Sequence, residues 1–336
     1  MHAALTRNRR TFAVIAALLV VQAALAFALV FPGNNPKPHH VPVGFVGPSN
    51  AQAALAAKAG DALIIHSYAS ADAARSAIGQ RQIYGAFIAQ PPAQQLFVAS
   101  AASMSVSQLL RETASARGAP VQVRDVAPLT RNDPHGATIN LLFMPLIMVC
   151  FFTVLALGAL KLRPSRLIGA VGLFAVLGGA VITGVVAVGL GALPGSFLAL
   201  SGVMALTMLA IALPTAGFYR LFGTPGVALG AVTFLFIANP ASGNGTAPEM
   251  LPGFWRFISQ LMPPGAGGTA LRNVSYFSGN AIIRPLVVLG AFAAVGVLLV
   301  AAADAARRRR SRAVQPVSAA GGEGHSRTSS GALQPA

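Results

Sequence analysis

Long apolar runs, separated by short loops that carry most of the charge, dominate this chain. Six of these runs are candidates for membrane-crossing helices, and they cover residues 11–31, 140–160, 167–193, 197–218, 227–238 and 282–303. A helix needs about 20 consecutive apolar residues to cross the hydrocarbon core of a bilayer. Only 10% of the 336 residues are charged, whereas about a quarter are charged in an ordinary soluble domain. We therefore predict an α-helical polytopic membrane protein with six transmembrane helices.

The basic residues predict the orientation of the spans, because positively charged flanks stay on the cytoplasmic side. Four segments hold nearly all of the flanking positive charge: residues 1–10, 161–166, Arg220 and 307–336. If they are cytoplasmic, the fifth run, 227–238, must cross the membrane rather than re-enter it, although it is short. We expect a multi-pass protein of a bacterial inner membrane with both termini in the cytoplasm. The preference of the chain for arginine over lysine also favours a bacterial source.

The first run is open to two interpretations. Arginines precede it, and small residues at 24–26 or 26–28 would suit a signal-peptide cleavage site. However, the apolar region of a signal peptide usually covers about 7–15 residues, whereas this run continues to residue 31. We favour an uncleaved anchor that forms the first span, 11–31.

Residues 32–136 form a mostly polar insert between the first two spans, and the predicted orientation makes this insert extracytoplasmic. Strand-like runs lie at 41–46, 62–66, 83–89, 95–99 and 121–126, and helix-like runs at 51–59, 71–79 and 105–117. Strands that alternate with helices favour a small α/β domain. A five-helix membrane domain at 137–306 follows it, and the tail at 307–336 is expected to be basic and disordered.

The residues offer little support for catalysis or for cofactor binding. None of the three lysines follows a glycine, so the chain has no P-loop for ATP. The single Cys150 excludes an intrachain disulfide, and no spacing typical of a metal site is present. The second to fifth runs contain no charged residue, which argues against a proton relay. We expect neither an enzyme nor a resident cofactor or metal, and no nucleic-acid partner, because most basic residues flank the apolar runs.

Two patterns indicate helix contacts within or beside the membrane. Asp304 lies three and four residues before Arg307 and Arg308, a spacing that predicts a local ion pair. Ala175, Gly179 and Thr183 recur at four-residue intervals, and such small residues let membrane helices pack closely. The small residues are explained either by packing within the chain or by a dimer interface.

The outer segment 239–281, between the last two spans, is dense in glycine and proline. It contains an aromatic amphipathic stretch at 253–262, which is typical of a helix lying in the membrane interface. We interpret the segment as re-entrant or interfacial, acting either as a cap on the bundle or as an outer gate that contacts substrate. Its candidate residues are Pro240, Pro252, Trp255, Arg256, Pro263, Pro264 and Arg272.

The order of one span, an extracytoplasmic insert and five more spans resembles the phage-infection-protein-like (Pip) membrane proteins. These are related to type-2 ABC exporter permeases and to fungal nitrosoguanidine-resistance membrane proteins. Short motifs carry the resemblance: Asn239-Pro240, Ser242-Gly243, Leu251-Pro252, Met262-Pro263-Pro264 before Arg272, and the phrases at 42–46 and 84–88. The resemblance implies a permease that pairs as a homo- or heterodimer and takes energy from a separate ATPase. It also implies that the loop with Lys161, Arg163 and Arg166 contacts that ATPase.

These observations predict the transmembrane subunit of an ABC-type exporter that moves a hydrophobic or lipid-like compound and lies among membrane lipids. The alternative is a membrane protein that does not transport, whose outer domain binds an envelope component, a partner protein or a phage. A co-purifying ATPase would favour the first hypothesis. Function retained by a membrane-tethered outer domain alone would favour the second.

Overall fold

The computed structural model describes residues 37–90, 94–116 and 121–313, together with short helical pieces between 12 and 27. The chain is mostly helical (68%) and carries a small α/β sheet region, as the sequence predicts. The predicted first span, 11–31, lies largely outside the described residues. The candidate cleavage sites and the tail beyond residue 313 also lie outside them.

The α/β domain is built on one mixed five-stranded sheet. Its strands are β1 (Val41–Val46), β2 (Leu63–Ser67), β3 (Gly85–Ile88), β4 (Gln95–Val98) and β5 (Gln122–Asp125). They lie in the order β2-β1-β3-β4-β5, in which only the β3–β4 pair is antiparallel. Three helices cover the sheet: α1 (Ser49–Ala59), α2 (Ala71–Gly79) and α3 (Met104–Ser115). The predicted strands and helices of the insert are therefore confirmed, with small differences at their ends.

Local sequence explains why these helices start where they do. Ser70 and Ser103 precede α2 and α3, and their hydroxyl oxygens accept hydrogen bonds from Ala73 N at 3.1 Å and Val106 N at 3.2 Å. Such N-caps satisfy backbone donors that the first helical turn leaves free. In β1, burial of Val41, Val43, Phe45 and Val46 places most of the strand in the core of the domain. The sheet is therefore covered by helices as in an ordinary α/β fold.

Among the described residues, four helices are long and apolar enough to cross a membrane. They are α4 (Thr138–Ala159), α5 (Pro164–Thr183, extended by a π-helical turn to Gly189), α6 (Phe197–Phe222) and α10, whose apolar part is Ile283–Arg309 and which ends at Ala313. These four support a membrane protein. Of the other two predicted spans, 227–238 forms a shorter helix, and 11–31 lies largely outside the described residues. Helix α6 is the most buried of the four and contacts α4, α5 and α10.

The stripe of small residues on α5 packs inside the chain. A Cβ atom at Gly179 would lie 2.6 Å from the carbonyl oxygen of Ser201 and 2.8 Å from the amide nitrogen of Ala205, both on α6. Ala175 and Thr183, on the same face, are fully buried. This stripe therefore serves the contact between α5 and α6, the first of the two explanations given above.

One end of the bundle gathers the basic segments, and we call it the basic end. Arg220, at the end of α6, donates a hydrogen bond to the carbonyl of Leu162 at 3.0 Å and pairs with Asp304 of α10 at 3.2 Å. Asp304 also pairs with Arg308 at 2.7 Å, which confirms the local ion pair. Arg307 instead donates to the carbonyl of Arg220. The other end packs against the α/β domain, and we call it the domain end.

The fifth apolar run forms a short helix that starts at the basic end. It consists of α7 (Thr224–Ala231), with eight residues, and a π-helical continuation, Val232–Ala238, with seven. At 1.5 Å per residue this is at most about 22 Å, less than the roughly 30 Å of a hydrocarbon core. The short 3₁₀ turn Pro240–Ser242 follows, and the chain reaches the α/β domain at Thr246, whose carbonyl accepts from Ser103 at 2.7 Å.

The chain then turns back into the bundle through two helices, α8 (Gly253–Ser259) and α9 (Pro263–Tyr276). Gly267 of α9 lies against Thr207, ten residues inside the domain end of α6, and Val274 lies against Gly195 just before α6. Gly267 therefore lies about 15 Å inside the bundle, at 1.5 Å per residue, and α9 runs from there out to the domain end. It packs against α4, α6 and α10, and its residues 263–268 and 270–273 are buried.

Candidate functional site

Hydrogen bonds fasten the α/β domain to the domain end of the bundle. Thr130 donates to the carbonyl of Ala192 at 2.9 Å, and Asn280 donates to the carbonyl of Gly79 at 3.0 Å. The backbone amide of His39 donates to the carbonyl of Glu249 at 2.9 Å. These bonds come from separate parts of the domain, so they fix its position on the bundle and define a junction between the two.

A cavity of about 640 Å³ lies at this junction. Its wall combines the domain, the re-entrant helix α9 and the start of α10. Four charged residues line it, Arg81, Glu249, Arg272 and Arg284. Apolar residues also line it, among them Ile83, Ile282, Ile283 and Pro285. The volume falls within the range of about 300–1,000 Å³ that small-molecule sites usually have.

Arg272 is the most deeply placed cation of the cavity. Its residue is only 7% exposed, and one guanidinium nitrogen donates to the carbonyl of Asn244 at 2.9 Å. Burial, and after it the nearby positive charge of Arg81, lowers the pKa of Arg272 to about 10. Arg272 therefore remains a cation at neutral pH, and its buried charge is held by a backbone carbonyl rather than by a carboxylate.

Arg81 comes from the turn after α2, where it adopts a φ of +63°, an uncommon conformation for a residue other than glycine. Its Nε donates to the side-chain oxygen of Asn273 at 3.1 Å. Its guanidinium also lies over two aromatic rings, 5.4 Å from the centre of Tyr84 and 4.7 Å from that of Phe277. These contacts orient a second arginine toward the same cavity.

Tyr84 and Glu249 join the domain to the outer segment across the cavity wall. The phenol of Tyr84 donates to a carboxylate oxygen of Glu249 at 2.7 Å. Burial, and then the charge of Glu249, raises the pKa of Tyr84 above its ordinary value. The phenol therefore stays protonated and continues to donate to Glu249 at neutral pH.

The cavity carries more positive than negative charge, because three arginines and one glutamate line it. Within the described part of the chain, no carboxylate oxygen lies within 4.0 Å of a guanidinium nitrogen of Arg81, Arg272 or Arg284. Arginine side chains bind phosphates and carboxylates through paired hydrogen bonds. The chemistry of this wall therefore suits an anion.

The residues predicted for the outer segment divide into three groups. Arg272 lines the cavity, and Pro263 and Pro264 form the buried first turn of α9. Pro240 opens the 3₁₀ turn after the fifth helix, and Pro252 precedes α8. The structure thus brings only Arg272 of this group to the cavity wall.

Trp255 and Arg256 lie on α8, and both are half-buried. Arg256 donates to the carbonyl of His39 at 3.3 Å, so it fastens α8 to the α/β domain. Phe254 and Phe257 of α8 are 69% and 71% exposed. An exposed aromatic face of this kind fits a helix that lies in a membrane interface.

The other predicted group lies at the opposite end of the molecule. Lys161, Arg163 and Arg166 are exposed around the short turn between α4 and α5. The basic end carries them, whereas the cavity lies at the domain end. They therefore form a separate surface and take no part in the cavity.

Sequence reasoning missed Arg81, Tyr84, Glu249 and Arg284 as site residues. Arg81 and Glu249 lie far apart in the chain. They line the same cavity only because the domain docks on the outer segment. The scarcity of charge in the outer segment was the one available signal, because only four charged residues lie between 239 and 284, and Arg272 and Arg284 are two of them. Among the described residues, no cluster of histidine, cysteine, aspartate and glutamate has the arrangement of a metal site.

The fold and the cavity together define a class: a polytopic helical membrane protein with an α/β domain docked on one end and a basic cavity at the junction. Comparison of the chain with family models, with curated proteins and with solved structures gives no match.

Proposed function

We propose that this protein is a permease-like exporter that moves a hydrophobic or lipid-like compound across a bacterial inner membrane with a separate ATPase. The observation that carries the proposal is the re-entrant pair α8–α9, which enters the bundle beside the short fifth helix. Transporters commonly place substrate beside discontinuous helices. Backbone that leaves helical geometry at membrane depth is tolerated only where protein buries it or where it lines a cavity.

The apolar interior of the bundle supports a hydrophobic or lipid-like compound as the cargo. The runs 140–160, 167–193, 197–218 and 227–238 contain no charged residue, so no internal relay of protons is available to drive transport. An external source of energy fits this arrangement. The exposed basic turn with Lys161, Arg163 and Arg166 is the surface that we assign to ATPase contact, in line with the resemblance to type-2 ABC exporters.

The test is affinity purification of the intact protein from native membranes, with the ATPase subunit quantified in the eluate. A stoichiometric ATPase is expected with the wild type and is lost when both Arg163 and Arg166 become glutamine. Arg111→Gln, an exposed charge change on α3 of the α/β domain, is the matched control and keeps the ATPase. If no ATPase accompanies correctly folded protein, the ABC-type mechanism is wrong.

A second candidate function is recognition by the α/β domain without transport. It is favoured by a cavity of about 340 Å³ between α1 and α3, which is lined by Leu55, Lys58, Leu109 and Glu112 among others. This cavity belongs to the domain alone and could take part of a partner molecule. A domain tethered to the membrane without the bundle would keep this function, whereas the permease function would be lost.

A further inference from the structure

The junction cavity has the composition of a binding site for an anion. Arg272 is more than nine-tenths buried, yet among the described residues only one of its nitrogens has a hydrogen-bond partner, the carbonyl of Asn244. Its other nitrogens are not sealed within protein, and the side chain lines the cavity. Because a buried cation without a counterion is costly, an anion in the cavity would relieve the charge.

The carboxylate that lines the cavity, Glu249, already accepts a hydrogen bond from Tyr84. Glu249 accepts the phenol hydrogen of Tyr84 at 2.7 Å, and it is not within ion-pair distance of Arg272, Arg81 or Arg284. Counting these four groups leaves two positive charges in excess (three arginines against one glutamate). The excess charge is available to a ligand.

The cavity also has an apolar side that continues onto the outer surface of α10. Ile282, Ile283 and Pro285 line it at the start of α10. Ile283 is 77% exposed and Val287, one turn further along, is 64% exposed. Exposed aliphatic residues at the start of a membrane-length helix face acyl chains when the helix is in a bilayer. A ligand could therefore keep a hydrocarbon tail on this surface and its head in the cavity.

From these observations we propose that the junction cavity binds the anionic headgroup of a membrane amphiphile, through a phosphate or a carboxylate. Arg272 holds the anion from the inside of the cavity and Arg81 from the domain side. Arg284, which is exposed at the start of α10, attracts it at the mouth. The tail lies along Ile283 and Val287. The geometry favours an amphiphile over a free anion because charged and aliphatic residues meet at one opening.

This inference deepens the proposed function and rests on it in one respect, namely that the bound amphiphile is the cargo. Binding itself requires neither an ATPase nor transport. Loss of the ATPase in the purification described above would therefore leave the binding inference untouched, and the two proposals fail separately.

The experiment is native mass spectrometry of the full-length protein, released from detergent after titration with phosphatidylglycerol, with phosphatidylcholine or with inorganic phosphate. We expect the wild type to retain phosphatidylglycerol in preference to phosphatidylcholine. Arg272→Gln should weaken retention about tenfold, which corresponds to about 1.4 kcal/mol. Arg284→Gln should weaken it about threefold, because exposed charges are screened. Arg124→Gln, on the edge strand β5, is the matched control and should leave binding unchanged.

Arg284→Gln keeps the test decisive if Arg272→Gln disturbs the fold, because Arg284 is exposed and makes no hydrogen bond that the fold requires. Equal retention of the two lipids would overturn the proposal. The same holds if the Arg272 and Arg284 variants bind like the Arg124 variant. Binding of inorganic phosphate without any retention of phosphatidylglycerol would assign the site to a free anion and would also overturn it.

Discussion

Gly265 lies in the first turn of α9, where the backbone of α9 closely approaches the end of α8. A Cβ atom at this position would lie 1.9 Å from the carbonyl oxygen of Ser259 and 2.8 Å from its carbonyl carbon. Ordinary van der Waals contact begins at 3.4 Å, so Gly265→Ala requires α8 and α9 to separate by about 1.5 Å. The obstructing atoms belong to the backbone, which cannot rotate away as the end of a side chain can.

Overpacking of this kind lowers the free energy of unfolding by about 1–3 kcal/mol in a well-packed interior. Gly290→Ala is the matched control, because a Cβ atom at Gly290 on α10 meets nothing within 4 Å. That change should stabilise its helix by about 0.5–1 kcal/mol, since alanine loses less backbone freedom than glycine on folding. The two variants should therefore differ in free energy of unfolding by roughly 1.5–4 kcal/mol.

The assay is thermal unfolding of the detergent-purified variants at one heating rate, followed by the fluorescence of Trp255. Trp255 is the only tryptophan and lies on α8, so the signal reports the region that the substitution disturbs. We expect the midpoint of the Gly265 variant to fall below that of the wild type and the midpoint of the Gly290 variant to lie at or above it. If the Gly265 variant unfolds at or above the Gly290 variant, α9 does not pack against Ser259 and the described turn from α8 into α9 is wrong.

Three further predictions concern the junction, the basic end and the bundle interior. Tyr84→Phe should destabilise the protein by about 1–2 kcal/mol at neutral pH, since Glu249 loses a donor. The folded state raises the pKa of Tyr84 through burial and then through Glu249, so the stabilisation is present below about pH 10 and is lost above it. The unfolding midpoints of wild type and variant should therefore converge in strong alkali. A difference between the midpoints that stays constant with pH would contradict this prediction. Asp304→Asn should lower the midpoint more than Arg308→Gln, because Asp304 also pairs with the partly buried Arg220; equal midpoints would count against that pairing. Cys150 is fully buried, so a maleimide should label it only after denaturation, and rapid labelling of the folded protein would show that α4 is wrongly packed.

The α/β domain was largely predictable because its local signals agree with its packing. Val41, Val43 and Phe45 alternate with small or turn-forming residues, and serines stand at the starts of α2 and α3. The pairing of the strands was not predictable, because only contacts between distant segments decide that β1 lies between β2 and β3. The four long helices were predictable for a similar reason, since length and hydropathy define them without any reference to neighbours.

The structure of the outer segment was only partly predictable from the sequence. Glycine and proline predicted a break in helical geometry at 239–281. They did not predict that Gly267 of α9 lies about 15 Å inside the bundle, because that depth depends on the close approach of Gly267 to Thr207 of α6. Asp304 is a second example: its spacing predicted the pair with Arg308, but its pair with Arg220 required α6 and α10 to be neighbours.

The sequence by itself determined the class of this protein: apolar runs of membrane length, an α/β insert and a charge distribution that sets one basic end apart. Composition and periodicity are local properties, so they can be read without a fold. Only the tertiary structure decided the site, because Arg81, Arg272 and Arg284 come from three separate segments that meet when the α/β domain docks on the bundle. The electropositive cavity exists because these side chains line one cavity together with a single carboxylate, a relation that no stretch of sequence contains.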